Sequence, residues 1–110
     1  MQALRFLRER ACEGVSVNDV VGKVHVSRSV LERRFRKAVG RSINDEMVRI
    51  RLNRAVELLS GTALELKAVA HKAGFGTQAY MNAVFRAKLG KTPGSFRHQI
   101  RATPANRRES

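Results

Sequence analysis

The sequence has a single cysteine, Cys12, so no internal disulfide can close and a structural zinc site would lack its usual ligands. No apolar run approaches the roughly 18 residues that a membrane-spanning helix needs. The opening stretch MQALRFLRERACEG has neither the apolar core nor the cleavage site of a signal peptide, so a cytoplasmic location is expected. Neither a GxGxxG nor a P-loop motif occurs. His25, His71 and His98 share no familiar ligand spacing with a cysteine or an acid. Cys12 falls near an apolar helical face, where a small packing residue is expected rather than a nucleophile. No enzyme activity, catalytic residue, cofactor or metal is therefore expected. Acid is also scarce: 9 Asp and Glu stand against 22 Lys and Arg, a net charge of +13.

The 110 residues suffice for one domain, or for two very small subdomains sharing a helix. Apolar residues make up 43%, enough for a real if small core, so wholesale disorder is excluded. The charge is spread evenly. Residues 1–55 carry 13 basic and 6 acidic groups, and residues 56–110 carry 9 and 3. It is thus a property of the whole surface, and its self-repulsion would be relieved by a polyanion. Nucleic acid is the first partner to consider, with an acidic membrane face second.

Hydrophobic spacing is helical almost throughout, which predicts an all-α fold. Ala3, Leu4, Leu7 and Ala11 share one face, and Gly14 ends that segment. Ser16 or Asn18 can cap a short helix carrying Val20, Val21 and Val24. A strand would also fit these valines, but Gly22 and Lys23 break the alternation. Ser27 reads as an N-cap for a helix with Leu31, Phe35 and Ala38 on its apolar stripe, stopped at Gly40. Asn44 is the expected cap of a linking helix of roughly 25 Å that carries Met47, Val48, Leu52, Ala55, Val56 and Leu59 inward. A second short helix follows with Leu66, Val69, Ala70 and Ala73. Gly74 and Phe75 then make a tight turn, glycine permitting positive φ and Phe75 burying. His25-Val26 stands at the equivalent place in the first half, without the glycine. Thr77 caps a helix with Tyr80, Met81, Val84 and Phe85 inward, ended by Gly90. Pro93-Gly94 reads as a turn before a short closing element with Phe96 and Arg97. The expected divisions are 1–42, a linker helix at 43–61, 62–98, and a basic, frayed tail at 99–110.

The chain repeats itself. Ser27, Leu31, Phe35 and Gly40 recur as Thr77, Met81, Phe85 and Gly90, all at an offset of 50. Upstream, Val20-Val21 is matched by Val69-Ala70. Each copy holds a short helix, a tight connection and a second capped helix, the pattern of a helix-turn-helix.

At this point the sequence resembles the DNA-binding domain of the AraC/XylS family of bacterial transcription regulators over about residues 1–98. Ser27, Leu31, Arg33, Phe35 and Gly40 carry the likeness in the first unit. Arg51, Ala55, Leu58 and Leu59 carry it in the linking helix. Val69, Ala70, Gly74, Phe75, Gln78, Phe85, Gly90, Thr92, Pro93, Phe96 and Arg97 carry it in the second unit. The early ACEG and the segment SRSVLERRFRK are similar to the xylose-operon regulator branch. The resemblance implies two helix-turn-helix subdomains joined by a long helix. Each second helix would enter a major groove, the two grooves lying about one turn apart, near 34–36 Å. In that family a sensing domain often precedes this one, and the chain has no room for it.

The core expected from these patterns comprises Val20, Leu31, Phe35, Leu52, Leu59, Val69, Phe75, Met81, Phe85 and Phe96. On the first recognition helix Arg28, Ser29, Glu32, Arg33 and Arg36 occupy much of the other side, and the resemblance sets Ser29, Glu32, Arg33 and Arg36 toward the groove. Arg33 is the best base-reader, since arginine can grip guanine O6 and N7 with two bonds. Glu32 could accept from cytosine N4, or pair with Arg28 or Arg36. On the second helix Gln78, Ala79, Asn82 and Ala83 are the candidates, Gln78 and Asn82 suiting adenine. The family often has arginine where Ala83 stands and phenylalanine where Met81 stands, which points to apolar readout here. Ser27, Arg41, Thr77, Arg86, Lys88, Lys91 and Arg97, with Arg49 and Lys72, are the candidates for the phosphate backbone. Arg51 and Arg54 would instead fix packing through Glu57 or Glu46. The function expected is a monomeric, sequence-specific regulator bound to double-stranded DNA at the nucleoid, an activator that meets RNA polymerase, with no membrane. The rival readings are a nonspecific architectural nucleic-acid binder and a partner-binding helical domain.

Overall fold

A computed structural model describes residues 2–24 and 26–102. Those residues form helices and connections, with no strand among them. In order they are α1 (Gln2–Arg10), a 3-10 turn (Ala11–Glu13), α2 (Val17–Val21), α3 (Arg28–Val39), α4 (Ile43–Gly61), α5 (Leu66–Ala73), α6 (Gln78–Leu89) and α7 (Pro93–Ala102). The molecule is elongated, 49 × 28 × 22 Å.

Local chemistry accounts for most boundaries. Ser16 caps α2 in a reciprocal box. Its hydroxyl accepts from Asp19 N at 3.2 Å, and its own N–H donates to the Asp19 carboxylate at 2.8 Å. Ser27 caps α3 by accepting from Val30 N at 3.3 Å, and Thr77 caps α6 by accepting from Tyr80 N at 3.1 Å. Ser42, not Asn44, caps α4. It is extended at φ −71° and ψ 164°, and its Oγ accepts from Asp45 N at 3.0 Å, which leaves Asn44 helical and exposed. Gly40 and Gly90 end α3 and α6 in the left-handed region. Pro93 is not a turn residue but the first residue of α7, where its missing N–H costs nothing. That helix runs on through Ala102, so residues 99–102, expected to fray, are helical. Residues 103–110 and His25 lie outside the described residues.

Two cores form, and α4 serves both. Ala3, Leu7, Ala11, Val20, Leu31, Phe35, Ile43 and Met47 make the first. Val48, Ala55, Leu58, Leu59, Val69, Ala70, Ala73, Phe75, Met81, Val84 and Phe85 make the second. Along α4, Ile43, Met47 and Ile50 therefore turn to the first unit, and Val48, Leu52, Ala55 and Leu59 to the second. The helix is a shared wall as much as a bridge. Leu52 and Phe96, expected in the core, are half-buried at the edge of the second cluster, where Phe96 meets Phe85 edge-on at 6.1 Å. Ala38 is exposed, and Val39 packs in its stead. Tyr80 also departs from expectation. It is 42% exposed and meets Phe75 edge-on at 5.7 Å.

Gly74 locks the two units together. Its φ of +95° suits only glycine, and a Cβ there would meet Ala11 O at 2.5 Å and Cys12 Cα at 2.7 Å. Both are backbone atoms of the 3-10 turn in the first half, so the second unit's turn packs directly on the first. Arg51 adds to this seam. It is buried on α4 and donates to Ala11 O at 2.8 Å and Val15 O at 2.5 Å, not to Glu57 or Glu46 as expected. Arg54 does pair with Glu57, at 3.2 Å.

Candidate nucleic-acid interface

The recognition surfaces follow from helical periodicity. On α3, Leu31 and Phe35 are buried, so Ser29, Arg33, Arg34, Arg36 and Lys37 are exposed on the other side. On α6, Met81, Val84 and Phe85 are buried, and Ala79, Ala83, Arg86 and Lys88 are exposed. The first surface is cationic. The second is small and apolar, with its positive charge gathered at the C-terminal end.

Several expected readers are already engaged within the protein. Arg28 donates from Nη1 to Asn18 Oδ1 at 3.0 Å, which ties the start of α3 to α2. Ser29 Oγ lies 3.4 Å from Ser27 Oγ. Glu32 is half-buried and accepts from Ile43 N at 3.5 Å, at the start of α4, rather than pairing with Arg28 or Arg36. Gln78 and Asn82 are half-buried, and Asn82 Oδ1 is enclosed without a hydrogen-bond partner among the described residues. The Asn82 carbonyl is thus turned from solvent, and Ala79 and Ala83 share the exposed side of α6 with Tyr80, Arg86 and Lys88.

The backbone candidates divide likewise. Ser27 and Thr77 spend their oxygens as caps, while Arg86 and Lys88 stand exposed. Lys91 Nζ donates to Gln99 Oε1. Arg97, expected at phosphates, is turned inward. It donates to Leu64 O at 2.5 Å and Leu59 O at 3.2 Å, with Thr62 O and Leu58 O at 3.4 and 3.5 Å. These include carbonyls from the last turn of α4, where helical donors run out, so a planar guanidinium with several N–H groups is well suited to them. Burial lowers the pKa of Arg97 and of Arg51 from the ordinary arginine value, and burial raises that of the Cys12 thiol.

Arg41 and Arg49 converge on Glu46, a carboxylate that is only 1% exposed. Arg41 donates from Nη1 to Oε1 at 2.6 Å, and Arg49 donates to both oxygens at 3.0 and 2.7 Å. The Arg49 hydrogen bond, joined by that of Arg41 and opposed by burial, holds the Glu46 carboxyl below the usual glutamate value. Glu46, expected as a partner of Arg51 or Arg54, is held by Arg41 and Arg49 instead. The signal was its register: Ile43, Glu46, Met47 and Ile50 follow the spacing of one buried face, and an acid in that series needs a partner.

No group of three or more metal-ligating side chains occurs among the described residues, and no helix among them is long and apolar enough to cross a membrane.

Residues 20–99 match the family model described as a helix-turn-helix domain. The xylose operon regulatory protein of Escherichia coli K12 is 33% identical over 97 residues, which are 88% of this chain and 25% of that protein. The chain thus spans about a quarter of the length of that relative. Among solved structures, the DNA-binding domain of AdpA in complex with a target DNA superposes with a TM-score of 0.85 at 26% identity, over 91% of this chain and 90% of that one. An AraC-type regulator from Chromobacterium violaceum superposes with a TM-score of 0.76 at 29% identity, over 94% and 91%.

Proposed function

The chain belongs to the AraC-type helix-turn-helix family of sequence-specific DNA-binding transcription regulators, and from that premise we propose that its two units read successive major grooves of double-stranded DNA, α3 in one and α6 in the other. The observation that carries this reading is the pairing of two capped, glycine-ended helices on one shared wall, each with an unburied side. Dimensions support it. Helices of about 10–12 Å diameter set one duplex turn apart, about 34–36 Å, span about 44–48 Å. The long axis of the molecule is 49 Å.

The two readers divide the work. Arg33, Arg36 and Ser29 on α3 supply charge and hydrogen bonds, with Arg33 gripping a guanine. Ala79 and Ala83 on α6 offer methyl groups, which suit the thymine methyl. Arg86 and Lys88, with Arg34 and Lys37, neutralise phosphates and carry the salt dependence. Arg97 is left out of the interface, because its guanidinium belongs to α4. One chain holds both readers, so a monomer suffices. RNA polymerase is the further partner that a regulator seated near a promoter would meet.

Selection from a randomised duplex library, followed by titration of the selected and a scrambled duplex between 50 and 200 mM salt, tests the reading. A site preference that survives across this range is expected. Arg33→Ala should relax one base position at a cost of about 1–3 kcal/mol. Equal affinity of the parent for both duplexes would overturn sequence-specific reading, and an unchanged base preference in Arg33→Ala would remove Arg33 from it.

A further inference from the structure

Glu46 is a buried charge that the reading surfaces do not use. Leucine or methionine at this register would have packed without desolvation cost, as Met47 does beside it. Its place in the first turn of α4 favours a negative charge. Its two arginines are not buried with it, since their side chains are 43% and 45% exposed. The carboxylate therefore acts as an anchor behind two cations that still face solvent. Arg41 is bound through Nη1 only, and Arg49 keeps its Nη1 group free of the carboxylate. Both line a cleft of about 290 Å³ with Asp45, Val48, Leu52 and Lys88. Lys88 comes from the end of α6 and Arg41 from the turn after α3. Cations from the turn after α3, from α4 and from the last turn of α6 thus line one cleft, together with the Asp45 carboxylate.

We propose that Glu46 is a positioning residue for DNA specificity: it holds the guanidiniums of Arg41 and Arg49 at the rim of this cleft to receive a backbone phosphate of a correctly seated duplex, while its own charge cancels part of their pull on a duplex seated elsewhere. The inference rests on the two-groove reading above. Free arginines raise affinity for any phosphate, because each phosphate neutralised releases counterions regardless of sequence. Arginines fixed at one place favour only the register that brings a phosphate there. Glu46 converts the first kind of contact into the second.

The test is Glu46→Gln, which keeps shape and removes charge, titrated on the selected and the scrambled duplex at several salt concentrations. On the scrambled duplex the log-log salt slope should steepen by about 1, and affinity at low salt should rise. On the selected duplex affinity should not rise, so the specificity ratio should fall about tenfold. In an Arg41→Gln/Arg49→Gln background the same change should leave the ratio where it was. A purely structural Glu46 would lower the melting temperature without moving the ratio in folded protein, so circular dichroism at the assay temperature accompanies each titration. Should Glu46→Gln not fold, Arg41→Gln and Arg49→Gln singly leave Glu46 one partner, and each should lower the ratio. Slopes and ratios equal to the parent's in folded variants would overturn the proposal and leave the two-groove reading intact. A parent that fails to distinguish the duplexes would overturn the reading itself.

Discussion

The two helix-turn-helix units are built from one plan and differ where the plan meets the rest of the molecule. In the first, α2 runs only from Val17 to Val21, and the chain travels from Gly22 to Ser27 before α3 begins. Gly22 there is right-handed, at φ −66°. In the second, α5 runs from Leu66 to Ala73, and residues 74–77 suffice for the turn, with Gly74 and Gly76 at φ +95° and +87°. The second turn is tight because it must be. Its glycine touches the backbone of the first unit, and a longer loop would break the seam. The third helices differ too. At the 50-residue offset Ser42 matches Thr92, whose Oγ1 accepts from Ser95 N at 3.1 Å, so the start of α4 does for the first unit what α7 does for the second. In that alignment Glu46 stands where Phe96 stands. One unit closes its corner with an ion network, the other with an aromatic pair.

The largest effects should come from the matched phenylalanines. Phe35→Ala and Phe85→Ala each remove a fully buried ring and should each cost about 3–5 kcal/mol. Amide hydrogen exchange should show Phe35→Ala loosening α2 and α3 first and Phe85→Ala loosening α5 to α7. Equal loss of protection in both halves from either change would mean that the units do not open separately.

The glycines of the second turn sharpen the point. Gly74→Ala combines backbone strain with a collision against atoms that cannot move aside, and should cost about 3 kcal/mol or more. Gly76→Ala has a similar φ but open space around its Cβ, and should cost only about 1 kcal/mol. Equal melting temperatures for the two variants would contradict the seam between Gly74 and Ala11.

A smaller effect separates the corners by pH. The Glu46 carboxyl is held below its ordinary value in the folded protein, so its stabilisation is complete above the ordinary glutamate range and is lost as pH falls through the folded value. Acid should therefore weaken the α3–α4 corner before the α6–α7 corner, which has Phe96 instead. Melting from neutral pH down to about 3 should show the gap between the parent and Glu46→Gln closing with acid. A constant gap would deny Glu46 a depressed pKa.

Caps and stripes were readable because they are local. Ser27, Thr77, Gly40 and Gly90 act within a turn of their own position, and Leu31, Phe35, Met81 and Phe85 follow the helical period. Local departures are shifts of a residue or two, as with Ser42 for Asn44 and Val39 for Ala38; the larger ones arise where partners are distant in sequence. Arg97 looked like a surface cation until the carbonyls ending α4 came within its reach. Nearby acids are the obvious partners for Arg51, but its acceptors, Ala11 O and Val15 O, lie 40 and 36 residues away in the first unit. Tyr80 fitted the apolar period, yet its place on α6 lies beyond the second core and leaves it partly in water. Glu32 and Arg28 had the right chemistry for bases, but Ile43 N and Asn18 engage them, and Asn82 turns its carbonyl away from solvent.

By itself, the chain determined the number and order of helices, the duplication, the apolar stripes at Leu31, Phe35, Met81 and Phe85 and the excess of positive charge. All of these depend on side-chain type and short spacing. Tertiary structure alone decided which arginines remain available to a partner, which glycine is indispensable and how α4 is divided between the cores. Those outcomes hinge on what lies across a gap of tens of residues, and burial charges every polar group there for lost water unless a partner from elsewhere in the fold replaces it.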